Sequence, residues 1–305
     1  EEKIIEIGCN DGSMLNFFNK NEFDCLGFEP SGNVAEIAQK KGMKVIPDFF
    51  SSTQSQAQEF IAKTKIVYAA NVICHIPDLE NLIKSIDQFL TKDGLFIFEE
   101  PYLGSMVNKI SYDQIYDEHV YIFSVSSIKK IFEEFNFDLI DAIPQITHGG
   151  SMRYVVARRG KYKIKDNVKL HQAREREIEL DNLDGLLEFK KNCLLSKEQT
   201  LNNLHNFKKK GLSIAGYAAT SKSTTVLNFC GIDNKIIDCI YDTTPDKIGK
   251  FSPGTHIPII NYEKFKNNYP DILYLFAWNH KNEIFKKETV FNDKGGKWFS
   301  HVDLK

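Results

Sequence analysis

Short apolar runs alternate with amphipathic stretches along the first half of the chain. Residues 3–8 are apolar and break at Gly8, after which 13–20 (SMLNFFNK) carries helical spacing opened by Asp11 or Ser13. The alternation continues with a strand over 24–30 that ends in an acid, a helix over 33–42 stopped by Gly42, and strands over 43–47 and 66–75. A helix over 79–90 and a strand over 94–101 follow. Strands that alternate with helices predict a parallel sheet covered on both faces. Two further runs, 137–146 and 151–159, flank His148-Gly149-Gly150 and predict an antiparallel hairpin closing that sheet.

Residues 164–210 break the pattern. They are charged and helical, with Leu183, Leu187, Leu194, Leu201 and Leu204 on roughly one stripe. Lys208-Lys209-Lys210-Gly211 is a helix stop. The stripe predicts a packed connector rather than a coiled-coil partner site. Strand–helix alternation then resumes with strands over 212–218, 236–242 and 271–278 and a helix near 222–230. The expected architecture is α/β in three parts: residues 1–160, a helical connector over 161–210, and a smaller α/β domain over 211–305.

Composition narrows the function without choosing it. Lys and Arg number 39 against 41 Asp and Glu, for a net charge of −2. Nothing in that balance advertises a nucleic acid or an anionic membrane as partner. No apolar run approaches the ~20 residues of a membrane helix, and no signal peptide is visible. The six cysteines are scattered and none forms a CxxC pair, so neither a zinc site nor a disulfide framework is expected. Scattered thiols fit a reducing cytoplasm. Glu1-Glu2 leads straight into a core strand with no initiator Met, so an upstream segment is expected.

In open α/β sheets, ligands sit beyond the carboxyl ends of the strands. The first such loop here is Glu6-x-Gly8-x-Asn10-Asp11-Gly12. It lacks the full G-x-G-x-x-G of dinucleotide binders, so a pyrophosphate is not the favoured ligand. Glu29 ends the second strand, 29 − 8 = 21 residues after Gly8. An acid at about that separation is suited to two ribose hydroxyls. The loop, the acid and the closing hairpin together resemble the S-adenosylmethionine (SAM) methyltransferase fold. The resemblance implies that Glu6, Gly8, Asn10, Asp11 and Gly12 shape the donor pocket, that Glu29 holds the ribose, and that Asn71 and His75 line the methyl side. His75 read alone serves equally well as a cap for the helix that follows.

Residues 111–124 read SYDQIYDEHVYIFS and crowd a phenol, two carboxylates and an imidazole together. With EEPYLGSMVNKI before it, and with THGGSMRYV, GYAATSKSTTVLNFCGI, FSPGTHIPI and FAWNHKNEI after it, this stretch resembles the nucleotide-sugar C-methyltransferases over essentially the whole chain. IYDEH and HGGS are the most specific parts. The resemblance implies a class I SAM-methyltransferase Rossmann-like domain, a helical connector and a second Rossmann-like domain that binds a dTDP-linked sugar. It implies that a ketone-bearing sugar is deprotonated and methylated on the neighbouring carbon. On that reading His119 is the base, Glu118 orients it or holds a sugar hydroxyl, and Tyr116 bonds the enolate oxygen. Adjacent residues 118 and 119 share one site only if the loop is irregular. The family also carries a zinc-binding domain ahead of this fold, which is not in these residues.

His148, Ser151 and Arg153 flank the Gly-Gly turn and are expected to touch substrate. Gly216-Tyr217-Ala-Ala-Thr-Ser221-Lys222-Ser223 nearly spells a P-loop, but Ser221 stands where the second glycine must be. An ATPase or GTPase is therefore disfavoured. A strand–loop–helix junction with a lysine still suits an anion. In the resembling family the segment usually reads GYGAPAKG; here Ala218, Thr220, Ser221 and Ser223 depart from it. Tyr217, Lys222, Trp278 and Asn279 are the expected substrate contacts of the last domain, with Trp278 as core residue nearly as well founded. Two other functions fit the same residues: an O- or N-methyltransferase, which would show no deuterium exchange beside a ketone, and a silent sugar-nucleotide-binding module, which would bind SAM without turnover.

Overall fold

The computed structural model describes residues 2–19 and 23–303; Glu1, and Lys20 at the end of the first expected helix, lie outside them. In chain order the elements are β1 (Lys3–Ile7), α1 (Ser13–Asn19), β2 (Asp24–Phe28), α2 (Gly32–Lys40), β3 (Val45–Ile46), β4 (Thr64–Ala70), α3 (Leu79–Phe89), β5 (Leu90–Pro101), α4 (Leu103–Lys109), α5 (Val125–Glu133), β6 (Phe137–Gln145), β7 (Ser151–Arg158) and α6 (Asp166–Glu177). After these come α7 (Leu183–Lys209), β8 (Ile214–Tyr217), α8 (Ser221–Cys230), β9 (Ile240–Asp242), β10 (Ile259–Asn261), α9 (Glu263–Asn267), β11 (Ile272–Leu275), α10 (Lys281–Lys287), α11 (Thr289–Asp293) and β12 (Lys297–Phe299).

The chain forms two compact units. One comprises residues 1–104 and 118–181, the other residues 105–117 and 182–305. This differs from the three-part expectation. The two helices expected in the connector fall in different units, α6 in the first and α7 in the second. In the first unit, Glu175 of α6 is buried and caps α5: its carboxylate accepts from Val125 N at 2.6 Å, Ser126 N at 2.9 Å and Tyr102 Oη at 2.9 Å. In the second unit, α7 packs with α8 and reaches Phe299 through Phe207.

The first unit holds a seven-stranded sheet in the order β3-β2-β1-β4-β5-β7-β6, parallel except for β7. Parallel strands buried on both faces require near-continuous apolar runs, and Ile4, Ile5, Ile7, Val67, Ala69, Phe96 and Phe98 supply them. The hairpin β6–β7 closes the edge as expected. The expected strand over 66–75 stops at Ala70. Asn71 turns the chain at φ 55°, and the Glu100 carboxylate takes Val72 N at 3.0 Å and Ile73 N at 2.6 Å in place of ladder partners. A short 3₁₀ turn, Ile73–His75, follows.

The second unit holds a five-stranded, all-parallel sheet in the order β10-β9-β8-β11-β12. Its second strand is shorter than the expected 236–242, because Ile236 N and Ile237 N both bond Asp233 O in a turn. The α7 stripe requires correction. Leu204 is buried, but Leu183, Leu187 and Leu194 are exposed. The packed face is instead Gly185, Phe189, Cys193, Ser196, Thr200 and Leu204, whose mostly small side chains allow close approach of the helix.

Candidate active site

A cavity of about 740 Å³ opens at the carboxyl ends of β1, β2 and β4 in the first unit. That volume suits a cofactor-sized ligand. Gly8, Asn10, Glu29, Asn71 and His75 line it, together with Phe28, Phe49, Phe50 and Val72. Gly8 sits at φ 67°, and a Cβ there would stand 2.5 Å from Val72 Cγ2, so only glycine fits the turn. Three of the expected donor-site residues lie outside the lining. Glu6 is buried behind the loop, with its carboxyl pushed up to about 8 by burial. Asp11 is tied to Lys41 Nζ at 2.7 Å and Ser13 Oγ at 2.7 Å. Gly12 backs onto Ala38 and Met43.

Glu29 braces the loop. One carboxylate oxygen accepts from Asn10 N at 3.1 Å and the other from Ser31 N at 2.9 Å. A carboxylate has about four acceptor sites, so two remain for hydroxyl donors. Asn71 Oδ1 is buried with no hydrogen-bond partner among the described residues. An orphaned acceptor and a half-used carboxylate on the wall of one cavity fit a ligand with ribose hydroxyls and amino groups. The SAM donor therefore fits the residues present.

The expected catalytic stretch divides between the units: Tyr116 and Asp117 fall in the second, Glu118 and His119 in the first. Residues 116–119 form an irregular turn, with Val120 N bonded to Glu118 O at 3.2 Å, as a shared site at 118 and 119 required. The His119 ring lies 5.2 Å from that of His75, centroid to centroid. His75 Nδ1 meets the main-chain O of Glu118 at 2.6 Å. Cys74, His75 and His119 bring one ligating atom each to within 4.8 Å of one another. CxxC spacing, on which no zinc site was expected, gives no hint of this cluster, because the fold assembles it from distant segments. Burial and the neighbouring Glu100 push the Cys74 thiol far above the usual range.

The turn Thr147–Gly149 holds His148 at φ 51°. Ser151 Oγ donates to Thr147 O at 3.1 Å, and Thr147 Oγ1 to Glu99 at 2.5 Å. Arg153 is engaged with Glu99 at 3.0 Å. Ser151 and Arg153 thus lock the hairpin.

In the second unit, Tyr217 Oη donates to buried Glu288 at 2.6 Å. Trp278 is core, as its alternative reading had it, and its Nε1 donates to buried Asp113 at 2.8 Å. Asp113 also meets His301 Nε2 at 3.1 Å. Burial alone would raise the Asp113 carboxyl, yet His301 brings it below the usual range. Lys222 Nζ is buried 5.4 Å from the centre of the Trp278 ring, without a hydrogen-bond partner among the described residues. That setting differs from an exposed phosphate grip, and burial lowers the pKa of the amine. Asn279 lies in the 3₁₀ turn Trp278–His280.

A mixed seven-stranded sheet with one antiparallel strand, and a ligand-sized cavity beyond its first, second and fourth strands, define a class I SAM-dependent methyltransferase. A family model described as a methyltransferase domain matches residues 1–142, and one described as a C-methyltransferase C-terminal domain matches residues 146–302, just over half of the chain. The chain belongs to the C-methyltransferase family. It is 29% identical to the C-methyltransferase NovU of Streptomyces niveus over 299 residues, 97% of this chain and 71% of that protein. Solved structures resemble it more distantly. A TehB-like SAM-dependent methyltransferase of Corynebacterium glutamicum is 15% identical, with 52% of this chain and 80% of that one covered and a TM-score of 0.40. An O-methyltransferase from a Brevibacillus brevis polyketide synthase, solved with S-adenosyl-L-homocysteine, is 13% identical, with coverages of 58% and 73% and a TM-score of 0.43. Among the described residues, no helix is long and apolar enough to cross a membrane.

Proposed function

We propose that this C-methyltransferase acts on a nucleotide-linked, dTDP-type 4-keto-deoxysugar and methylates the carbon beside its ketone. The observation that carries the reading is the placement of His119 within 5.2 Å of His75, a wall residue of the donor cavity. Carbon is a poor nucleophile until a proton is removed, and a ketone acidifies the hydrogens of its neighbours. The base must work near neutrality, where imidazole titrates without a large shift. General-base catalysis of this kind is worth about 10²–10⁴-fold.

SAM, when bound, supplies an electrophilic methyl group. Glu29 holds the donor's ribose, the turn at Gly8 and Asn10 lets the protein main chain lie close to the donor, and Asn71 accepts from the donor's amino group. His119 takes the proton from the sugar carbon. Glu118 fixes the His75 ring through its carbonyl and leaves its carboxylate for a sugar hydroxyl, while Tyr116 bonds the enolate oxygen. His148 contacts the sugar from a turn locked by Ser151 and Arg153. The second unit takes the nucleotide, with Tyr217, Lys222 and Asn279 nearest the end of its sheet. Cytoplasmic sugar metabolism is the setting this chemistry implies.

The test uses a panel of 4-keto nucleotide sugars with SAM, reading product mass and methyl position. His119→Ala is expected to keep binding both ligands but to lose turnover. It also loses deuterium exchange beside the ketone in D₂O with S-adenosylhomocysteine present, while Glu118→Gln retains some. Wild-type exchange in His119→Ala together with none in Glu118→Gln would make the carboxylate the base. Methylation of oxygen or nitrogen, with no exchange, would sink the carbon reading.

A further inference from the structure

The Cys74–His75–His119 cluster has a chemistry that methyl transfer does not use. Two of its members come from the 3₁₀ turn after β4 and the third from the irregular loop at 118–119. One ligating atom of each lies within 4.8 Å of the other two. In a tetrahedral zinc site, bonds of 2.0–2.3 Å put ligand atoms about 3.5 Å apart. Side-chain movements of about 1 Å therefore close the set. A neutral His75 makes its 2.6 Å contact with Glu118 O only by donating from Nδ1, which leaves the lone pair on Nε2. A backbone carbonyl behind the ring is the outer partner that metal-ligating histidines ordinarily have.

One sulfur and two imidazole nitrogens form a soft-to-borderline donor set. It suits Zn²⁺ and its neighbours and disfavours Mg²⁺ or Ca²⁺, which take oxygen ligands. His75 lines the donor cavity, which gives an ion a route in and a water a place at the fourth position.

We propose that Cys74, His75 and His119 bind a divalent transition-metal ion of the zinc class. On binding, the Cys74 S–H bond breaks, the proton leaves to solvent, and the sulfur pair forms the metal bond; no oxidation or reduction is involved. Binding occupies the imidazole of His119, so the ion inhibits methyl transfer. The inhibition clause rests on the reading of His119 as base, whereas the binding clause does not.

Cobalt(II) is the probe, titrated into the 305-residue chain under a non-thiol reductant. The expected result is the intense visible absorption of four-coordinate cobalt with a near-ultraviolet thiolate-to-cobalt band, both displaced by one equivalent of zinc. Cys74→Ser is expected to lose the thiolate band, and His119→Gln and His75→Gln each to weaken cobalt binding at least about tenfold. Circular dichroism checks that each variant folds. No such bands in the parent chain, or an unchanged band and affinity in Cys74→Ser, overturns the site. Should Cys74→Ser not fold, an unchanged spectrum and affinity in His119→Gln overturns it equally. In the methylation assay, zinc is expected to slow turnover reversibly, with recovery on adding a chelator. Cobalt bound through these residues without any loss of turnover would leave the site standing and overturn His119 as base.

Discussion

The two units solve the same backbone problem with different residues. In the first, β1 ends at Ile7, Gly8 follows at φ 67°, and Gly8 N bonds Phe28 O at 2.8 Å. In the second, β8 ends at Tyr217, Ala218 follows at φ 69°, and Ala218 N bonds Tyr241 O at 2.9 Å. Each loop is then braced by an acid from the end of the neighbouring strand: Glu29 accepts from Asn10 N and Ser31 N, and Asp242 accepts from Ala219 N and Thr244 N, both at 2.7 Å. What differs is the space left over. The first loop overlooks about 740 Å³ and the second about 240 Å³. In the second unit Tyr217 and Tyr262 converge on Glu288, and Lys247 donates to Ala219 O at 2.8 Å while lying 4.0 Å from Asp242. A shared scaffold thus leaves a cofactor-sized cavity or a smaller one according to what side chains occupy the switch point.

The sharpest way to break this comparison is to remove each acid. Glu29→Ala is expected to weaken SAM binding by the ~1.5–3 kcal/mol of hydrogen bonds to a charged group. Asp242→Ala should lower thermal stability and leave SAM affinity alone; calorimetry that finds the reverse would overturn the assignment of ligands to sheets. A somewhat smaller effect comes from exchanging the left-handed residues. Gly8→Ala costs about 1–2 kcal/mol from its dihedral alone, plus the clash with Val72. Ala218→Gly relieves the same strain and, after the entropy cost of glycine, gains about 0.5–1 kcal/mol in denaturant unfolding.

A further, pH-dependent effect concerns the penultimate strand residue, Glu6 in β1 and Gly216 in β8. Burial holds Glu6 protonated up to about pH 8, against 4.5 for an ordinary carboxyl. The folded chain therefore keeps a proton that the unfolded chain releases, and stability falls as pH rises from 4.5 to 8. Glu6→Gln should flatten that decline, raising the melting temperature at pH 8 and leaving it nearly unchanged at pH 4. An equal shift at both values would show that burial, rather than ionisation, sets the cost.

Much of this architecture was legible because periodicity reports burial. The strand–helix alternation, the closing hairpin and the acid ending β2 all follow from it. Asn71 cut one strand short because a left-handed residue and a borrowed carboxylate leave no periodic trace. The leucines of α7 misled because hydrophobicity marks what can pack, whereas small residues marked what did. In the cavity lining, Gly8, Asn10 and Glu29 stand in the loop and strand end that the sequence pattern marked, whereas Asn71 and His75 came from the family resemblance alone. Cys74 was marked by neither, since its significance comes from His119, 45 positions away. The role of Asp113 was equally hidden, its partners Trp278 and His301 lying far along the chain.

The path of residues 105–117 decides how the molecule can be divided by engineering. The two family models meet between residues 142 and 146, which suggests a place to cut. A chain cut there would carry Asp113 and Tyr112, both buried in the intact fold, on the wrong fragment. Asp113 would be parted from Trp278 and His301, and Tyr112 from Cys230 and Phe229. A carboxylate stripped of buried partners is costly, and an aromatic stripped of its packing is sticky. The boundary between the two family-model matches is therefore not a boundary between the compact units, and fragments made at it would be expected to complement one another rather than to stand alone.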